Sequence, residues 1–202
     1  MKRVLPILAL AAASSVAAPA LAQSGGSTYQ AVAVGALEAP PNASPGYATV
    51  ALEVPGRQLF VDAMFRDLLG STTGAHVHCC TADAFTGTAP IAVPFTGFPT
   101  GVSAGEYSAA VNLGDDASYD PAFLAANGGT AASAAAALLA GMNANEAYVN
   151  FHTDAYPNGE IRGFVVAAPI PEPAEWAMLG IGLGGLLWMT RRRRQPEPGL
   201  AA

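Results

Sequence analysis

Three histidines and two cysteines are the only imidazoles and thiols in this chain of 202 residues. His76 and His78 stand in the run AHVHCC at 75–80, and His152 in YVNFHT at 148–153. Both runs are rich in β-branched and aromatic residues and read as strands. Alternate side chains of a strand share a face, so His76 and His78 point one way and Val77 the other. In the second run Tyr148, Asn150 and His152 share a face, opposite Val149 and Phe151. If the three apolar residues fill the core, all three imidazoles lie on the polar face and meet wherever the two strands are neighbours. Three imidazoles on a rigid sheet suit zinc or copper. The bland alternative is a set of ordinary hydrogen-bonded histidines, because a His-x-His strand is common.

Cys79 and Cys80 are adjacent, and neighbouring Cα atoms across a trans peptide are about 3.8 Å apart, too close for an ordinary disulfide. Exported proteins nevertheless oxidise their thiols. The pair can close a strained ring between neighbours, which is the favoured expectation. Otherwise it bonds to another chain, or it stays reduced with Cys80 beside the histidines as a further metal ligand. Arg162 is one of only three bases between residues 23 and 170. It is expected to fix the last hairpin by pairing with Glu160, two residues before it on the same strand face, or with Asp154 or Glu38. Holding a ligand carboxylate is the sharper alternative.

The elements that must position these groups follow from turn and strand signals. Candidate strands run over 29–37, 47–54, 58–65, 74–80, 106–113, 146–153 and 159–166, separated by Pro- and Gly-rich turns. Residues 81–105 read as an irregular crossing. Asp120 and Pro121 open a helical turn that ends at Ala126. The Ala-rich run 130–141 reads as a helix capped by Thr130 and stopped by Gly141, apolar enough to pack on the sheet. The fold class expected is mainly β: an antiparallel β-sandwich or partly closed barrel of about seven strands with one Ala-rich helix.

Both ends of the chain differ from this domain. Residues 1–22 have a basic start, a short apolar run and small residues before a cut after Ala22, the pattern of a removable signal peptide. Residues 23–28 form a flexible lead-in, the β domain covers 29–167, and 168–173 is a Pro-rich linker. Within 174–194, the uncharged run from Trp176 to Thr190 would span about 22 Å as a helix, short for a bilayer but usable if the following arginines snorkel. Arg191, Arg192, Arg193 and Arg194 hold its end in the cytoplasm, and 195–202 is a tail. The domain therefore faces outward.

Residues 23–170 carry twelve acids against three bases, a charge of about −9, which excludes nucleic acid as a partner. No serine stands in a nucleophile elbow, and the Gly-rich segments lack phosphate-cradle spacing. Asp115 and Asp116 lack the other oxygen donors of a calcium loop. An enzyme is not expected, and a metal-dependent redox activity is the one such reading left open. No cofactor is required, with copper or zinc the candidates.

Two resemblances cover nearly all of the chain. The runs GALEAPPN at 35–42, AHVH at 75–78, YVNFHT at 148–153 and PNGEIRG at 157–163 resemble a CHRD domain, the module first described in chordin. That resemblance implies an extracellular β-rich module without a settled catalytic activity, in bacteria a surface or matrix protein that could bind an extracellular polymer. The tail resembles a PEP-CTERM sorting signal: Pro171, Glu172 and Pro173, then a short apolar helix, then the four arginines. It implies recognition and cleavage by an exosortase-like protease after signal peptidase has acted, with the helix a transient membrane anchor. The His-x-His strand with a later histidine is also similar to the copper/zinc superoxide dismutase sandwich, but a two-metal site needs more histidines than this chain has.

Overall fold

The structure, a computed structural model, describes residues 27–168 together with 180–183 and 186. The expected signal peptide, the Pro171–Glu172–Pro173 motif and Arg191 to Arg194 lie outside the described residues. Of the expected tail helix only 180–183 and 186 are described, and they are helical. Among the described residues no helix is long and apolar enough to cross a membrane.

Nine strands form one antiparallel sheet: β1 (Ser27–Val34), β2 (Tyr47–Val54), β3 (Gln58–Arg66), β4 (Thr72–His78), β5 (Ile91–Pro94), β6 (Gly105–Asn112), β7 (Tyr148–Thr153), β8 (Ile161–Phe164) and β9 (Val166–Ala167). Their order is β5-β4-β7-β8-β1-β2-β3-β6, with β9 also on β1. Strict alternation makes the inner strands. Leu59, Val61, Ala63 and Phe65 of β3 are buried, whereas Phe60, Asp62, Met64 and Arg66 are not. Leu52 and Val50 of β2 and Tyr29 and Ala31 of β1 extend the same buried face, and each fully buried large apolar side chain contributes about 1.5–3 kcal/mol.

The sheet curls until its edges approach. Phe95, just past β5, stacks on Tyr107 of β6 with ring centroids 5.3 Å apart, and the Tyr107 hydroxyl donates to Thr96 O at 3.1 Å. Phe98 joins Phe65 and Phe151 in the same aromatic cluster. Of the two expected architectures the structure is therefore the partly closed barrel, a curled half-barrel, with nine strands instead of seven. One addition is β5, the four residues that follow Pro90 and end at Pro94, in the stretch expected to be irregular. It is too short for alternation to show, and β4 pairs it in place. The other is β9, because the expected last strand breaks after Phe164.

Helix α1 (Pro121–Ala126) starts where the Asp120 carboxylate accepts from Ala122 N–H at 2.9 Å. Helix α2 (Ala131–Asn143) starts where the Thr130 hydroxyl accepts from Ser133 N–H. It buries Ala134, Leu138 and Met142 in the core. It also runs through Gly141, the expected stop. That glycine serves packing instead: a Cβ there would collide with the sulfur atoms of Cys79 and Cys80.

Candidate metal centre

The outer face of β4, β7 and β8 is not open solvent-facing sheet. Loops 35–42, 81–90 and 154–160 fold over it and supply backbone carbonyls. Strands β4 and β7 are neighbours, paired His76 with Asn150 and His78 with Tyr148, and Gly74 with His152. Val77, Val149 and Phe151 point into the core. The three imidazoles consequently converge on the other side. Ring centroids are 4.9 Å apart for His76 and His152, 5.7 Å for His76 and His78, and 5.9 Å for His78 and His152. One ring nitrogen from each lies within 4.8 Å of the others.

The carbonyls decide which nitrogens are free. Nδ1 of His78 is 2.9 Å from Ala89 O, and Nδ1 of His152 is 2.9 Å from Pro157 O. A carbonyl only accepts, so both Nδ1 atoms carry the proton and both Nε2 atoms keep a lone pair. Those two Nε2 atoms, and Nδ1 of His76, are buried without a hydrogen-bond partner. Among the described residues only two other buried side-chain atoms lack one, Glu38 Oε1 and Asn150 Oδ1, and both are on this same face. A buried polar atom left unpaired is destabilising, which makes this face the candidate site among the described residues.

The rings are held neutral. Burial, followed by the neighbouring His152 and His78, pushes His76 down to about 4, with Asp120 acting the other way. Burial also pushes His78 down to about 4, the Ala89 contact opposing and the charges of His152 and Arg162 assisting. His152 is lowered by burial against its Pro157 contact. Neutral imidazole is the form that ligates metal.

Arg162, on β8 opposite Asn150, is buried at 4 % exposure. It donates from Nε to Leu37 O at 2.7 Å and from Nη1 to Gly87 O at 2.8 Å. Its guanidinium lies 4.7 Å over the Tyr148 ring, which stacks on His78 at 4.8 Å. Glu38 also acts on it, but burial raises that carboxyl to about 7 against the lowering effects of Arg162, the Ala39 N–H and Asn150.

Two expectations about this region are corrected. Glu160 and Arg162 do not pair. Glu160 precedes β8, and its carboxylate turns away to accept from the Ser44 hydroxyl (2.6 Å), the N–H groups of Leu69 and Gly70 (2.6 and 3.1 Å) and the Thr153 hydroxyl (2.7 Å). The only ion pair among the described residues is Arg66 with Asp67. Nor does Cys80 join the histidines. β4 ends at His78, so the alternation that would carry Cys80 to their side stops two residues early. Cys79 and Cys80 are bonded to each other and lie against α2, with Cys80 Sγ 3.7 Å from Ala137 O.

The sequence gives Glu38 no role at the site beyond that of one partner for Arg162, and Asn150 none beyond a place on the histidine face. The signal that could have found Glu38 is a single acid in an otherwise uncharged run, GALEAPPN. Gly159, with φ of +124°, closes this corner: a Cβ there would strike the Asn150 amide and Glu38 Oε1. A shallow cleft of about 430 Å³ also crosses β1, β2, β3 and β6, but its lining includes none of the histidines.

Compared with known proteins, the chain matches the family model for the CHRD domain over residues 29–165. No curated protein and no solved structure matches it.

Proposed function

The chain belongs to the CHRD domain family, which suggests an extracellular or periplasmic module, and we propose that this module binds one copper or zinc ion through His76, His78 and His152. The observation that carries this reading is the convergence of three buried imidazole nitrogens that no protein group satisfies. The backbone carbonyls of Ala89 and Pro157 fix two rings in the ligating tautomer, the arrangement that commonly backs metal-bound histidine. His76 would bind through Nδ1, and His78 and His152 through Nε2. A strongly acidic domain also favours cations over anions as cargo.

The sequence of the termini supports a location beyond the inner membrane. The basic and apolar start supports export followed by cleavage by signal peptidase, and the Pro171–Glu172–Pro173 motif with its arginines supports sorting by an exosortase-like protease, leaving the domain at the cell surface or in an extracellular matrix. The mass of the mature protein recovered from cells tests both cuts. Native mass spectrometry of the purified protein tests the metal reading: one copper or zinc ion per chain is expected, and none in His78→Ala. Equal metal content in the two proteins would refute it.

A further inference from the structure

The donors gathered here are all neutral, and the buried side chain that reaches His78 through the Tyr148 ring, Arg162, is positive. We propose that the centre is built for monovalent copper, and that Arg162 is the residue that sets its preference against divalent ions. This rests on the reading that the three histidines hold a metal.

The donor set is the first argument. Among the described residues no carboxylate or thiolate joins the three imidazoles, so the protein offers three nitrogens and no negative charge. Zinc and divalent copper favour four or more donors, in tetrahedral or tetragonal arrangements. Monovalent copper accepts three nitrogens in a plane. The candidate nitrogens are also buried, which limits completion of a larger coordination shell by solvent.

The field is the second argument. Arg162 touches the centre through Tyr148, whose ring lies against both its guanidinium and His78. Asn150, paired with His76 on one side and Arg162 on the other, is the only residue between those two across the sheet. The bonds from Arg162 to Leu37 O and Gly87 O engage two of its N–H donors without cancelling its charge, and no carboxylate lies within ion-pair distance of it. Its repulsion of a bound ion scales with the charge of that ion and is strong where water is excluded. Two acids act in the opposite sense: Glu38 on Arg162, and Asp120, at the start of α1, on His76. Neither belongs to the ligand group.

The test is a pair of chelator competitions on the apo protein at pH 8, one with monovalent copper under strictly anaerobic conditions and one with zinc. One monovalent copper per chain should be held about a hundredfold more tightly than zinc. Arg162→Gln should narrow that gap about tenfold, chiefly by strengthening zinc. Glu38→Gln removes a carboxylate that is ionised at this pH and whose Oε1 bonds to nothing, so it should widen the gap. Should Arg162→Gln fail to fold, Glu38→Gln decides alone. Zinc bound as tightly as monovalent copper, or a gap that the folded variants leave unchanged, would overturn the proposal. Binding of neither ion would overturn the underlying reading as well, which separates the two failures.

Discussion

The β7–β8 hairpin carries two buried polar clusters that differ in one respect. Around Glu160, at 0 % exposure, the carboxylate accepts four hydrogen bonds from Ser44, Leu69, Gly70 and Thr153. Around His152, a few residues earlier in the chain, the buried nitrogens of three rings accept none. The first cluster ties three loops together and is complete. The second leaves those nitrogens unpaired, and on the proposed reading a metal ion completes it. Burial of a polar group therefore does not by itself separate the two clusters, whereas the number of its unsatisfied atoms does.

The largest expected effect is on the complete cluster. Glu160→Gln should destabilise the protein by about 3 kcal/mol, because a charged acceptor of several bonds is lost and an amide hydrogen is forced among donors. Urea unfolding measures it, and a change under about 1 kcal/mol would erase the contrast between the clusters. Next is metal-linked stability. At a free metal concentration about a hundredfold above Kd, binding should add about 2.7 kcal/mol, and His78→Ala should abolish that increment in a thermal melt. The Glu160 variant, where it folds, should retain it.

Acid separates the clusters by pH. The three histidines have folded values below the ordinary 6.5, near 4 for His76 and His78, so the unfolded chain takes up protons that the folded apo protein refuses. Apo stability should therefore fall as pH drops from about 6.5 toward 4, and bound metal should raise stability across that window without flattening the fall, because a ligated imidazole refuses the proton as well. The four bonds to Glu160 outweigh its burial and lower its value below 4.5, so its contribution is present above that pH and is lost only further into acid. A melt series from pH 7 to pH 3 should show the first loss removed in a variant without the histidines and the second unchanged. The smallest effect is expected for His76→Leu in the apo protein. Removing an unpaired buried nitrogen should leave stability within about 1 kcal/mol of wild type or raise it, although metal binding is lost.

Much of this was legible in the residues themselves, because alternation is local. Val77 against His76 and His78, and Phe151 against His152, already assign the faces. What local pattern does not carry is partnership between distant segments. β4 pairs with β7 across some seventy residues, and nothing within AHVHCC or YVNFHT specifies that neighbour. Strand β5 escapes the pattern for the same reason, since four residues ending in a proline form a strand only because β4 presents an edge. The Glu160 and Arg162 pairing failed because period two was extended beyond the strand: Glu160 lies just outside β8, where side-chain direction is set by the four donors around it. Cys80 failed likewise at the end of β4. In each case alternation held inside the element and gave no information past its last residue.

X-ray absorption at the metal edge of the loaded protein tests the central claim most directly. The account predicts a first shell dominated by three imidazole nitrogens at about 2.0 Å, with the outer-ring scattering that identifies histidine. A shell of oxygens alone, or one containing sulfur, would contradict it.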